Sequence, residues 1–259
     1  MKKEHLTIVK VGGAIVEDAS KLKEFLNAFA AIPDHKILVH GGGRSATKFA
    51  SSLGIQSKMV EGRRITDANM LQIVTMVYGG LVNKNLVAKL QSMGLNALGL
   101  TGADMNIIHS HKRPLIKGVD FGFVGDVDQV NAYCLQKLIQ QGVIPVIAPL
   151  THDGKGQMLN TNADTIAAET AQALARFDEV TLVYSFEKDG VLRDPDNEHS
   201  VISTITRPDF NQYVADGIVE KGMIPKLQNA LCAVDQGVKE VIITKYSALD
   251  GKHGTLIHS

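Results

Sequence analysis

Twice near its start the chain runs through a short apolar stretch into a cluster of glycines and then into helical periodicity. Residues 6–11 (LTIVKV) close on Gly12-Gly13, and residues 36–40 (KILVH) close on Gly41-Gly42-Gly43. Behind the first cluster, Leu22, Phe25, Leu26 and Phe29 share one helical face, with Ser20 as the expected N-cap. Behind the second, Ala46, Phe49, Ala50 and Leu53 repeat that spacing. Strands that are apolar on both faces and alternate with helices predict a mostly parallel sheet covered on both sides.

The alternation continues to the C-terminus. Thr66 or Asp67 caps a long predicted helix through Met70, Ile73, Val74, Val77 and Leu81, in which Gly79-Gly80 either breaks the helix or lets another element pack closely. A strand over 96–100 follows, then a glycine-punctuated excursion over 105–127 that reads as a hairpin, a helix over 128–141 and a strand over 143–150. Helices over 163–175, 208–215 and 225–236 and strands over 180–184 and 240–244 complete the pattern. No fixed-period repeat interrupts it, composition places no domain boundary, and the loop near 176–178 is a candidate for a division into lobes.

Composition narrows the function. The 259 residues hold 27 Lys+Arg against 27 Asp+Glu, so nothing predicts a polyanion-binding surface, and nucleic acid is not an expected partner. No stretch has the ~20 apolar residues of a membrane span. Lys10 and Glu17 interrupt any signal-peptide core, which predicts a cytoplasmic protein. The two cysteines, Cys134 and Cys232, form no CxxC or zinc spacing and read as reduced thiols. No metal-ligand pattern is present.

In open α/β sheets, ligands bind beyond the carboxyl ends of the strands. Both glycine clusters sit there, where successive backbone N–H groups can close around a phosphate. Neither is a Walker loop or a GxGxxG, and glycines also simply turn a chain after a strand. Lys10 interrupts an apolar run just before Gly12, so it either pairs with an anion or snorkels out of the strand end. Asp164 falls in the first turn of a predicted helix, where an acid suits the helix dipole without any further role. Asn160 and Asn162 read equally as caps or turn formers, and Lys226 by itself reads as a surface lysine.

Taken together, VKVGG (9–13), VHGGG (39–43), GRRIT (62–66), MLNTNAD (158–164), GMIPK (222–226) and Gly254-Thr255 resemble the amino-acid kinase superfamily. Within it, they resemble the N-acetylglutamate kinase family of arginine biosynthesis. The likeness spans the whole chain and rests on the order and spacing of the motifs. It implies a three-layer αβα sandwich around a mainly parallel sheet. An N-terminal lobe of about 1–176 would bind the acyl amino acid and dimerise, and a C-terminal lobe of about 177–259 would bind ATP. Carried over by motif, Lys10 and Lys226 would stabilise the transferred phosphoryl group and Asp164 would hold them. Gly42, Gly43, Arg64 and Asn160 would bind the acylglutamate. Gly12, Gly13, Glu187, Lys188, Asp189, Gly190, Val191, Leu192, Ile218, Val219 and Glu220 would line the nucleotide. ATP would arrive with Mg²⁺, and the assembly would be a homodimer.

Two departures from the family pattern stand out. The compact Asp-Val-x-Gly turn after the strand over 180–184 is replaced by Tyr184-Ser185-Phe186-Glu187-Lys188-Asp189-Gly190, about two residues longer. Arg63 stands where a leucine is common. Arginine-inhibited relatives carry an extra helix before the first strand. The first strand here begins by about Leu6, so that form of control is not expected. The readings carried forward are a kinase of N-acetylglutamate, a kinase of another N-acylglutamate such as N-succinylglutamate, and a non-catalytic amino-acid sensor. Carbamate, aspartate and uridylate kinases share the fold, but the Arg64 and Asn160 motifs fit them less well.

Overall fold

In the computed structural model, residues 3–60, 63–194, 196–219 and 223–259 are described. The first strand, β1 (His5–Val11), leads through the Gly12 turn into α1 (Gly13–Glu17) and α2 (Ala19–Ala30). Then come β2 (His35–His40), α3 (Gly43–Ser52) and a small hairpin of β3 (Met59–Val60) and β4 (Arg63–Arg64). A continuous helical run follows, made of α4 (Ala68–Val74), wide π-helical turns over Thr75–Val82 and α5 (Asn83–Ser92). Next are β5 (Ala97–Leu100), β6 (Ile108–Lys112), β7 (Gly125–Val130), α6 (Ala132–Gln140), β8 (Ile144–Ile147), β9 (Leu150–His152) and β10 (Met158–Asn160). The rest of the chain supplies α7 (Ala163–Leu174), β11 (Glu179–Phe186), β12 (Thr204–Ile205), α8 (Arg207–Ala215), α9 (Ile224–Asp235), β13 (Glu240–Lys245) and β14 (Thr255–Ile257).

Eight strands form one sheet in the order β12-β14-β13-β11-β1-β2-β8-β5, parallel throughout except for the β13–β14 pair. The α/β expectation of a mainly parallel sheet between two helical layers therefore holds. Side chains alternate across a strand, and the core divides accordingly. Leu6 and Ile8 face the layer of α6, α7 and α9, whereas Val9 and Val11 face the layer of α2 to α5. The second layer is anchored by Phe25 and Phe29, which are fully buried and stack at 6.1 Å. Burying such a side chain stabilises by about 1.5–3 kcal/mol.

One local expectation is corrected, and two others are resolved in detail. The cap of α2 is Asp18, whose carboxylate accepts from the backbone N–H groups of Ser20 and Lys21, so Ser20 is already inside the helix. The capping oxygen belongs where the backbone is still extended, and Asp18 is there. Gly79-Gly80 does not break the long helix but lies in its π-helical turns. The 105–127 excursion is the β6–β7 hairpin, and it joins β9 and β10 in a second, four-stranded sheet. The returning arm of the loop between its strands is pinned at Gly122. Its φ is +73°, and a Cβ there would lie 2.2 Å from the Thr66 carbonyl oxygen, so only glycine allows this approach.

Candidate active site

The strand alternation that sorts the core also places Lys10. Sharing the parity of Leu6 and Ile8, it points toward α7 and α9 at the carboxyl end of β1. Asp164 stands in the first turn of α7, capped by Asn162, whose side chain accepts from the Asp164 and Thr165 N–H groups. Lys226 is in the first turn of α9, above the buried face of Leu227, Ala230 and Leu231. The Lys10 Nζ lies 2.7 Å from Asp164 Oδ1.

A fourth group shares this face. Tyr184 is opposite Lys10 across β1 and β11, and Phe186, two residues on, has the same parity. Its ring centre is 4.3 Å from Lys226 Nζ and 6.0 Å from Lys10 Nζ. The negative face of an aromatic ring attracts an ammonium, so Phe186 and Asp164 together hold two cations that would otherwise repel. Burial pushes the Lys226 pKa down, Asp164 opposes that shift, and Lys10 reinforces it.

The two glycine turns lie against one another beside this cluster. A Cβ on Gly13 would fall 3.5 Å from the backbone nitrogens of Gly42 and Gly43, and one on Gly12 would meet nothing within 4 Å. Gly42 admits no side chain, because a Cβ would sit 2.8 Å from the Tyr78 ring. Beneath the second turn, His40 is fully buried, and desolvation pushes its pKa down to about 4. The neutral ring donates from Nδ1 to the Gly41 carbonyl at 2.9 Å and accepts at Nε2 from Asn83 Nδ2 at 3.1 Å. That network fixes the turn from below.

Beyond Gly41–Gly43 opens a cavity of about 180 Å³ lined by Arg63, Arg64, Arg113, Tyr78 and Asn160, among others. Arg64 is only 9% exposed, yet its hydrogen-bond partners are uncharged. It donates to Ser57 Oγ at 2.7 Å, to the Gly43 carbonyl at 2.9 Å and to Thr47 Oγ1 at 2.8 Å. A buried guanidinium without a carboxylate partner is matched to an anionic ligand. Asn160 ends β10 and donates to the buried Thr66 Oγ1 at 2.9 Å. Both asparagines of MLNTNAD line the cavity, and Asn162 is in addition the helix cap.

The segments expected to touch nucleotide divide. Glu187, Lys188 and Asp189 are exposed at the end of β11. Glu187 pairs with Lys21, which holds its carboxyl below the usual range, and Asp189 lies 3.6 Å from Lys245. Gly190 packs so closely on Thr255 and Val201 that a Cβ would meet both at 2.8 Å. The side chains of Val191, Leu192 and Val219 are buried, and Ile218 is half-buried against the same core. Glu220, like Gly62 and Gly222 of the GRRIT and GMIPK motifs, lies outside the described residues. Among the described residues, no group of three or more His, Cys, Asp or Glu could hold a metal ion. No helix among them is long and apolar enough to cross a membrane.

Phe186, Tyr78, His40 and Asn83 did not emerge as site residues from the sequence. For Phe186 a signal existed, since its parity with Tyr184 places it beside Lys10.

Comparison with known proteins agrees with this architecture. The sequence model of the amino acid kinase family matches residues 5–245. The chain belongs to the amino acid kinase family. This kinase is 65% identical over 255 residues to an acetylglutamate kinase of Bacteroides thetaiotaomicron, covering 98% of this chain and 99% of the relative. It is 64% identical to another acetylglutamate kinase, from Phocaeicola vulgatus, with the same coverage. Among solved structures, the kinase superposes with a TM-score of 0.83 on N-acetylglutamate synthase of Neisseria gonorrhoeae complexed with coenzyme A and N-acetyl-glutamate. At 20% identity, covering 99% of this chain and 59% of the synthase, that likeness speaks for the fold alone.

Proposed function

We propose that the chain is an acetylglutamate kinase, transferring the γ-phosphoryl group of ATP to the γ-carboxylate of N-acetyl-L-glutamate in arginine biosynthesis. The observation that carries this reading is the Lys10–Asp164–Lys226 cluster beside two facing glycine turns and an arginine-lined cavity. The acceptor needs no general base, because a carboxylate with a pKa near ~4.3 is already ionised at neutral pH. One carboxylate oxygen attacks the γ-phosphorus, the bond to the β-phosphate oxygen breaks, and ADP leaves with its electrons. The product is N-acetyl-L-glutamyl 5-phosphate. The difficulty is electrostatic: an anion must approach a polyanion, and charge spreads over the transferred group. Lys10 and Lys226 offset that charge, and the N–H groups of Gly12, Gly13, Gly42 and Gly43 supply further donors. Arg64 and Asn160 bind the rest of the acylglutamate.

Magnesium enters as part of the nucleotide substrate, carried mainly by phosphates and water. Asp164 is the one acidic member of the cluster and orders the lysines. Residues 1–176 act as the acyl-amino-acid lobe and 177–259 as the nucleotide lobe, with Glu187–Leu192 and Ile218–Glu220 along the nucleotide. Lys10 and Asp164 then come from one lobe, Lys226 and Phe186 from the other. A homodimer is supported by apolar surface near the β5 edge of the sheet. Leu98 is 38% exposed there, and Met76 and Leu81 are exposed on the adjoining helical run.

Trapping with hydroxylamine tests the reading. Hydroxamate should form only with ATP and the acylglutamate together, and Lys10→Ala should abolish it. Binding of the acylglutamate without hydroxamate or ADP formation would favour an amino-acid sensor and overturn the kinase.

A further inference from the structure

One buried side chain holds the second glycine turn, and the neighbouring helical run is wound to reach it. His40 is fully buried, and its Nδ1–H donates to the Gly41 carbonyl at 2.9 Å. Asn83 fixes which ring nitrogen carries the proton. Its Nδ2 donates to the Val146 carbonyl at 2.9 Å, which sets the orientation of the amide, and the same Nδ2 faces His40 Nε2 at 3.1 Å. Nε2 must therefore accept, which leaves the proton on Nδ1. Asn83 Oδ1 is buried and has no hydrogen-bond partner among the described residues. It lies so close to the edge strand that a Cβ on Gly99 would fall 1.9 Å from it. A buried unpaired acceptor is costly, so what this amide contributes is its donor end.

The helical run delivers Asn83 by leaving α geometry. The Asn83 N–H donates to the Tyr78 carbonyl, five residues back, at the end of the π-helical turns. Residues five apart lie about 140° apart around an α-helix, and the wider turns bring them to the same side. Tyr78 accordingly packs on Gly42, where a Cβ would meet its ring at 2.8 Å, while Asn83 reaches His40. The Gly41–Gly42 peptide is trans, so its C=O and N–H point opposite ways. A carbonyl held on His40 turns the Gly42 N–H away from the ring. That nitrogen faces the first glycine turn, where a Cβ on Gly13 would lie 3.5 Å from it. The Gly41 N–H is already spent on the Val11 carbonyl at 3.0 Å, whereas Gly42, as the N-cap of α3, has no helical acceptor for its own. We infer that His40 and Asn83 are positioning residues for phosphoryl transfer: with Tyr78, and through the π-helical turns, they hold the Gly41–Gly42 peptide so that the Gly42 N–H is aimed at the transferred phosphoryl group. The inference rests on the kinase reading and adds to it how a backbone donor is oriented before the substrates arrive.

An asparagine places an amide N–H where Nδ1 stood, and a glutamine only where Nε2 stood. His40→Asn and His40→Gln therefore separate the hold on Gly41 from the filling of a buried space. In the hydroxamate assay, kcat should fall about 10–100-fold in His40→Gln, with KM for the acylglutamate within about threefold of wild type. His40→Asn should recover most of that rate, although thermal unfolding should show both variants destabilised alike. Asn83→Leu, which leaves the imidazole without its lock, should lower kcat by about 3–10-fold. Equal kcat in the two His40 variants, or an unchanged kcat in Asn83→Leu, overturns the inference while leaving the kinase intact. A wild-type measurement stands beside the variants. Nitrogen NMR of histidine-labelled protein at neutral pH should show the buried histidine, the one that does not titrate with the exposed ones, protonated at Nδ1 and bare at Nε2. A proton on Nε2 overturns the inference even where no variant folds. Absence of hydroxamate from wild type with ATP and the acylglutamate present overturns the kinase reading itself, and this inference with it.

Discussion

Asp164→Asn is the sharpest perturbation of the cluster, since it removes charge while keeping shape and the α7 backbone. At 2.7 Å and an effective dielectric of 20, the Lys10–Asp164 attraction is about 6 kcal/mol before desolvation is counted. The Lys10 side chain is only 11% exposed, so the ammonium left behind cannot recover its hydration. Breaking a buried pair from one side costs about 3–5 kcal/mol, and with Asp164 23% exposed the lower end applies. Thermal unfolding should show a loss of that order. The kinetic effect is separate. With no carboxylate between them, Lys10 and Lys226 repel, and the phosphoryl group loses its ordered pair of donors. A kcat lower by about 10²–10³ is expected, equivalent to roughly 3–4 kcal/mol. The pH profile distinguishes a site effect from a folding effect. Burial already lowers the Lys226 pKa, and Asp164 is the group that opposes this. In the variant the ammonium should deprotonate at still lower pH, moving the basic limb of kcat downward. A folded variant with kcat within about threefold of wild type and an unmoved basic limb would refute the assignment.

Phe186→Leu should lower kcat by roughly 3–30-fold with little change in KM for the acylglutamate, because a cation–π contact is worth about 0.5–2 kcal/mol. Phe186→Trp, which keeps a ring face under Lys226, should restore most of the rate, and equal loss in both variants would reject the ring's role. Stability should also fall as acid is added. His40 titrates near 6.5 when unfolded and about 4 when folded, so between those values the unfolded chain binds more protons. The stability it contributes is fully present above pH 6.5 and is lost as pH falls toward 4, about 3 kcal/mol in all. Urea melts across that window should show the slope in wild type, and a flatter one in His40→Asn.

How much of this could be read in advance depended on how local each cause was. The sheet was legible because β1, β2 and β11 are buried on both faces and carry long apolar runs, and the glycine turns because two clusters recur at equivalent strand ends. The β3–β4 hairpin was not, since two-residue strands are too short to show a period. The π-helical turns were not legible, since Gly79-Gly80 reads either as a break or as a close approach of another element; packing selects the second, and a Cβ on Gly79 would touch Leu150 at 3.4 Å. In the site, Lys10 was marked by its position inside an apolar run, but its surroundings were not. Which face it occupies follows from its parity with Leu6 and Ile8. What waits there is set by the two helices laid over that face, α7 bringing Asp164 and α9 bringing Lys226. The same parity extended along β11 puts Phe186 beneath both ammoniums. The segment after Tyr184 therefore reaches the two lysines through Phe186. It supplies an aromatic face at the point where two cations must share one carboxylate, and the rate in Phe186→Leu measures how much of that sharing the ring sustains.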